Sequence, residues 1–259
     1  MLLGLMLLAS VGGPSTVDAS KLTLSAPAAI VEIDTKKLEG DLYRLSWSPD
    51  GQQLYLQTVE RDRAGTIKSA HHYLVALNGQ APSKVGQEPD WSTTYWAWKS
   101  TQTAPGLPTF KIELEESQKR VTSTSIPMGG DLAKGGSGTG GPVGAGNNAD
   151  AMSAAMQSQL AHYYTLKLKG EVVGEFVNAA AIPGLTFGWG PQSTGLIAFA
   201  NRDGRVVIMD DQGRKQEVPS SKSAVLPGWT DDGKRLAFLE RTNKNKATLK
   251  IVEVTRPVQ

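Results

Sequence analysis

Apolar and polar residues alternate with a period of two in short runs along most of the chain, separated by turns rich in Gly, Asp, Asn and Pro. That is the pattern of an all-β protein. One template recurs. Residues 45–56 read LSWSPDGQQLYL, 187–199 read FGWGPQSTGLIAF and 227–239 read PGWTDDGKRLAFL. In each, a tryptophan (Trp47, Trp189, Trp229) precedes a polar turn holding Gly51, Gly195 or Gly233, and an apolar strand follows. A second element is shared downstream: AHHYLVALNG (70–79) and AHYYTLKLKG (161–170) match in register, and RVVIMDDQG (205–213) and TLKIVEV (248–254) alternate in the same way. The unit is a strand, a Trp turn, a second strand and a hairpin.

Trp189 and Trp229 lie 40 positions apart, the length of one four-stranded propeller blade. A fourth unit is expected near Trp91, with YWAWKS (95–100) as its second strand. The long interval from there to Trp189 is read as an insertion. It holds an extra hairpin, TFKIELEESQKRVTSTS (109–125), a Gly-rich mobile loop at about 129–149, and a short helix, ADAMSAAMQSQLA (149–161). At the front, AAIVEIDTKKLEG (28–40) resembles the hairpin half of a unit and is a candidate to pair with the last unit. A unit of this size loses roughly 1.5 kcal/mol per residue in conformational entropy. One small sheet cannot offset that alone, so neighbours must stack and share burial.

SWSPDGQQLYL resembles the WSPDG-type motif of WD-like β-propeller repeats, found in TolB and in propellers of many bacterial secreted proteins and peptidases. Trp47, Pro49, Asp50 and Gly51 carry the likeness in the first copy. Trp91, Trp189, Gly195, Trp229, Asp232 and Gly233 mark the others. The later copies depart from the motif: Gln192-Ser193-Thr194 follows Pro191, and Thr230-Asp231 stands where Ser-Pro would be. The resemblance implies a β-propeller of about four to five four-stranded blades, in a small or incomplete ring carrying the Gly-rich insertion. By analogy with TolB it implies a scaffold that binds another protein.

Leu2 to Val11 is an apolar stretch followed by Gly12, Gly13 and Pro14, with Val17 and Ala19 as small residues before Ser20. This reads as a signal peptide over residues 1–19, with a propeller-like domain over 20–259 and a periplasmic or secreted address. The stretch is shorter than the roughly 20 residues that span a bilayer, so no membrane span is expected in the mature chain. No Lys or Arg precedes it. The competing reading is an N-terminal buried strand or helix.

Composition narrows the chemistry. Among 259 residues, 27 Lys and Arg stand against 25 Asp and Glu, a net charge of +2, with no basic run dense enough to follow a phosphate backbone. Nucleic acid is not an expected partner. There is no cysteine, which removes disulfides, thiolate metal sites, thiol nucleophiles and lipid attachment. His71, His72 and His162 are the three histidines; His71 and His162 fall at equivalent repeat positions and read as duplicated strand residues before they read as metal ligands. The pairs Glu115-Glu116, Asp210-Asp211 and Asp231-Asp232 sit on strands or in turns and do not form a general acid/base pair. No Gly-x-Ser-x-Gly elbow occurs, and GGSGTGG (135–141) lacks the end of a P-loop. Neither catalytic residues nor a cofactor or metal site is therefore expected. Tyr95, Trp96 and Trp98 form an aromatic cluster that reads first as blade packing, with Trp96 and Trp98 on one strand face, and second as an exposed ligand platform. The expected function is an exported protein-interaction scaffold. The alternative is a sugar-binding or hydrolytic module with its site at the central channel.

Overall fold

The computed structural model describes residues 17–62, 66–102, 112–120, 160–168, 170–176, 187–191, 194–201 and 203–257. The Gly-rich tract at 129–149, the helix expected over 149–161 up to residue 159, and residues 1–16 of the expected signal lie outside them. The described chain is mostly β, folded into four antiparallel sheets with one helix of more than a single turn. None of its described helices is long and apolar enough to cross a membrane.

Two strands open the described chain, β1 (Thr23–Leu24) and β2 (Ala28–Asp34). A meander follows: β3 (Asp41–Trp47), β4 (Gln53–Arg61), β5 (Ile67–Ala76) and β6 (Ser83–Val85), hydrogen-bonded in that order. Next come a helix, α1 (Asp90–Gln102), and a three-stranded sheet of β7 (Ile112–Arg120), β8 (Leu160–Leu168) and β9 (Glu171–Phe176). The third sheet is again a four-stranded meander: β10 (Phe187–Trp189), β11 (Leu196–Ala200), β12 (Val206–Asp210) and β13 (Lys215–Glu217). The last contains β14 (Ala224–Trp229), β15 (Arg235–Asn243) and β16 (Lys246–Thr255). It is completed by the start of the chain. β2 pairs along β16 from Asp34↔Lys246 to Ala28↔Ile251, and β1 pairs at its far end, Thr23↔Thr255.

The repeat seen in the sequence has one geometry. Trp47, Trp189 and Trp229 each end the first strand of a sheet and pair with the start of the second, opposite Leu54, Ile197 and Leu236. Between them the chain turns through Gly51, Gly195 and Gly233, whose φ values of 65°, 61° and 66° lie in the left-handed region where a Cβ is disfavoured. Two copies share a hydrogen-bond set: Ser48 Oγ donates to Asp50 Oδ1 at 2.6 Å, and Thr230 Oγ1 donates to Asp232 Oδ1 at 2.7 Å. The same carboxylates accept the backbone N–H of Gln52 and Lys234, and these bonds hold both below the usual Asp range. AHHY and AHYY also superpose in role. They lie on β5 and β8, each between two partner strands and each followed by a left-handed glycine, Gly79 or Gly170.

Two expectations for the second unit are corrected. YWAWKS belongs to α1 and is not a strand. IELEESQKR is β7, paired along its whole length with β8, so it is the neighbour of the AHYY strand and not an extra hairpin. The second sheet therefore has three described strands, and the segment expected to supply its second strand is helical. The helix has a local cause. Asp90 stands in the first turn, where the helix dipole favours a carboxylate. Pro89 O accepts from the N–H groups of Ser92 and Thr93, and Glu88 Oε1 accepts from Ser92 Oγ.

Both faces of the last sheet are buried, as stacking requires. On β15, Ala237 and Leu239 face a core shared with Leu45, Trp47, Leu54 and Leu56 of the first sheet, while Leu236 and Phe238 face Leu196, Ala198, Val206 and Ile208 of the third. β16 alternates in the same way: Leu249 and Ile251 go to one core, Val252 and Val254 to the other. Strict alternation with both sides apolar puts this sheet between two neighbours.

Candidate functional site

The residue before each Trp is small, and the structure gives the reason. A Cβ on Gly188 would lie 2.3 Å from Pro227 O, and one on Gly228 would lie 3.3 Å from Leu45 O. The first strands of three sheets thus run nearly in backbone contact. Ser46 holds the equivalent place on β3. Its Oγ donates to Ser92 Oγ of α1 at 3.0 Å, and that hydroxyl in turn donates to Glu88 Oε1. Trp47 also crosses between sheets, its indole N–H donating to Gly228 O at 2.9 Å. Close packing of β3, β10 and β14 brings their Trp turns to one place, with α1 beside them.

A cavity of about 520 Å³ opens there. Its wall is aromatic: Trp91, Tyr95 and Trp98 from α1, and Trp189 and Trp229 from the ends of β10 and β14. The second residue after each repeated Trp completes it. These are Pro49, Pro191 and Asp231, so one repeat position supplies two prolines and one carboxylate. Trp189 and Trp229 are buried at 5% and 4% exposure, whereas Trp91, Tyr95 and Trp98 are half-buried. The volume falls within the roughly 300–1,000 Å³ of small-ligand sites, and an apolar wall with few polar groups is their usual lining.

The two threonine hydroxyls of the wall are engaged. Thr94 Oγ1 donates to Asp90 O, and Thr230 Oγ1 donates to Asp232. The Trp229 indole N–H is buried and makes no hydrogen bond. Burial pushes the Tyr95 phenol up, with Asp231 adding to the shift. Asp231 itself is open to solvent on one side. Partial desolvation and then the neighbouring Asp232 raise its carboxyl above the usual Asp value. The Asp231-Asp232 pair thus divides: Asp232 is held low as the acceptor of its turn, and Asp231 faces the cavity.

The aromatic trio separates as well. On a strand, Trp96 and Trp98 would share a face; on a helix they do not. Trp98 and Tyr95 line the cavity, their rings 5.9 Å apart. Trp96 turns inward at 6% exposure, with Arg44 4.8 Å and Lys99 4.4 Å from its ring centre. Lys99 is buried, and its Nζ donates to Phe187 O, tying α1 to β10. Burial drives its amine well below the ordinary lysine value. Trp47, Asp50, Gly51, Gly195, Asp232 and Gly233 build the turns and do not line the cavity. Pro49, Trp91, Trp189 and Trp229 do line it, so four residues expected only to define repeats also form the wall.

The histidines lie elsewhere. On β5, His71 Nδ1 is 3.2 Å from Glu39 and its Nε2 is 3.9 Å from Glu60. His72 Nδ1 meets the Tyr55 hydroxyl at 2.6 Å. Among the described residues no group of three or more His, Cys, Asp or Glu side chains is placed to hold a metal. The chain matches no family model, and no curated protein is significantly similar to it.

Proposed function

We propose that this protein is a binding module of propeller type that captures a segment of another protein in the aromatic cavity between its Trp turns and α1. Three features support the architecture: the repeated sheet meander, the inter-sheet Trp47 bond to Gly228, and the return of β2 onto β16. On this reading the four sheets are four blades, α1 replaces one inner strand, and the N-terminal strands close the ring. The export signal and a periplasmic or secreted address belong to the same proposal.

The carrying observation is the cavity wall. Five aromatic rings and two prolines present a large apolar surface at low side-chain entropy, which is how protein-binding anchors are captured. A sugar would also stack on such rings. It would then need several free hydrogen-bonding groups around its rim, and both threonine hydroxyls of this wall are already bonded.

Selection from a displayed peptide library tests the reading. Peptides enriched on the wild-type protein are expected to lose at least about tenfold in affinity on Trp98→Ala, since a packed aromatic anchor is worth about 2 kcal/mol or more. Failure to enrich any peptide, or enriched peptides that bind Trp98→Ala unchanged, contradicts it. Selective binding on a glycan array in place of peptides would favour the sugar-binding alternative.

A further inference from the structure

The three Trp turns are not equivalent where they meet the cavity. Position two after the Trp is Pro49, Pro191 and Asp231. The first two leave apolar surface, and the third puts one carboxylate against the indole and phenol rings. From this juxtaposition of a single carboxylate with five aromatic rings, and resting on the binding-module reading above, we infer that the cavity takes a cationic side chain of the partner segment.

The physical case has three parts. Aromatic faces attract cations through the ring quadrupole, most strongly for Trp, and the attraction grows where water is excluded. Half-buried Trp91 and Trp98, with buried Trp189 and Trp229, provide such a setting. A carboxylate beside the rings adds a charge-assisted partner for an ammonium or guanidinium, and no Lys or Arg lines the cavity among the described residues. Two of the described arginines lie on rings outside this wall: Arg235 is 4.7 Å from the centre of Trp47, and Arg44 is 4.8 Å from the centre of Trp96. Finally, Thr94 and Thr230 already donate their hydroxyls to protein acceptors, which leaves Asp231 as the charged group that faces the cavity. An anion meets the Asp231 carboxylate.

The ionised carboxylate is held against the preference of the fold. Since its pKa is raised on folding, by desolvation and then by Asp232, the charged form costs stability above that pKa. The cost disappears once pH falls below the unfolded value. Asp231→Asn is therefore expected to leave the urea midpoint at neutral pH equal to or above wild type. A loss of binding in that variant cannot then be ascribed to unfolding.

The test uses two blocked tripeptides, Ac-Gly-Lys-Gly-NH2 and its norleucine counterpart, titrated against the whole protein by tryptophan fluorescence. The lysine peptide is expected to bind about tenfold more tightly than the norleucine one, and Asp231→Asn should remove that difference while leaving norleucine binding within about twofold. Raising ionic strength should shrink it in wild type. Equal binding of the two peptides, or a preference that survives in Asp231→Asn, overturns the inference. If the two bind equally but both are lost in Trp98→Ala, the cation is wrong and the peptide site stands; if Trp98→Ala changes neither, both readings fall.

Discussion

Trp47 and Trp98 show how one residue type divides between architecture and recognition. Trp47 is 5% exposed, donates its indole N–H across a sheet boundary and carries Arg235 on its face. Truncation to Ala leaves a cavity, removes the indole N–H from the Gly228 carbonyl and takes the ring from beneath the Arg235 guanidinium. Trp47→Ala should cost about 3–5 kcal/mol, read as a lower urea midpoint with an unchanged slope. Trp98 is half-buried on α1 and faces the cavity. Trp98→Ala should cost no more than about 1 kcal/mol, the ordinary toll at an incompletely buried position, while abolishing ligand binding. Equal losses of stability at the two positions would contradict this division. Sequence spacing marked Trp47, Trp189 and Trp229 as equivalent, and each stands at the end of the first strand of a sheet. What spacing could not show is that the last two also face a common space, because that depends on Gly188 and Gly228 letting three backbones meet.

Among the elements, α1 is where the pattern of the chain misleads. YWAWKS is rich in aromatic residues, which favour strands when nothing else decides. Two things decide here. Glu88-Pro89-Asp90 is a helix-start signal, with Pro at the entry and acid in the first turn. Tertiary bonds then hold the helix in place, Ser92 to Ser46 and Lys99 to the Phe187 carbonyl. The first stands in the sequence itself, where the repeat pattern points to a strand instead; the second depends on the tertiary fold. Ala97 lies on the exposed side of α1 and does not line the cavity, so it probes the backbone alone. Ala97→Pro should cost about 3 kcal/mol and abolish ligand binding, whereas Ala97→Gly should cost about 1 kcal/mol and keep it. Circular dichroism and a urea titration of both variants check the pair. A proline variant that binds normally would show that the helix is dispensable to the site.

Across the whole molecule, the start and end of the chain hold each other. β2 supplies the outer strand of the last sheet, a pairing the hairpin-like pattern of residues 28–40 already suggested. Just before it, Ala19 is fully buried, its N–H bonded to Asp210 Oδ2 at 3.0 Å, and Asp18 pairs with Arg214 at 3.0 Å. Cleavage after Ala19 would sever both contacts, a consequence that Val17-Asp18-Ala19 as a string of residues does not disclose. The close stacking of β3, β10 and β14 sets where the Trp turns converge, and so sets the cavity. The six tryptophans report on it directly. Their indole N–H resonances, assigned by single substitution, should be followed while a peptide selected on the wild-type protein is titrated in. Trp91, Trp98, Trp189 and Trp229 should shift together, with Trp47 and Trp96 unmoved; shifts confined to Trp47 or Trp96, or none in the four cavity indoles at saturation, would contradict the assignment of this cavity as the binding site.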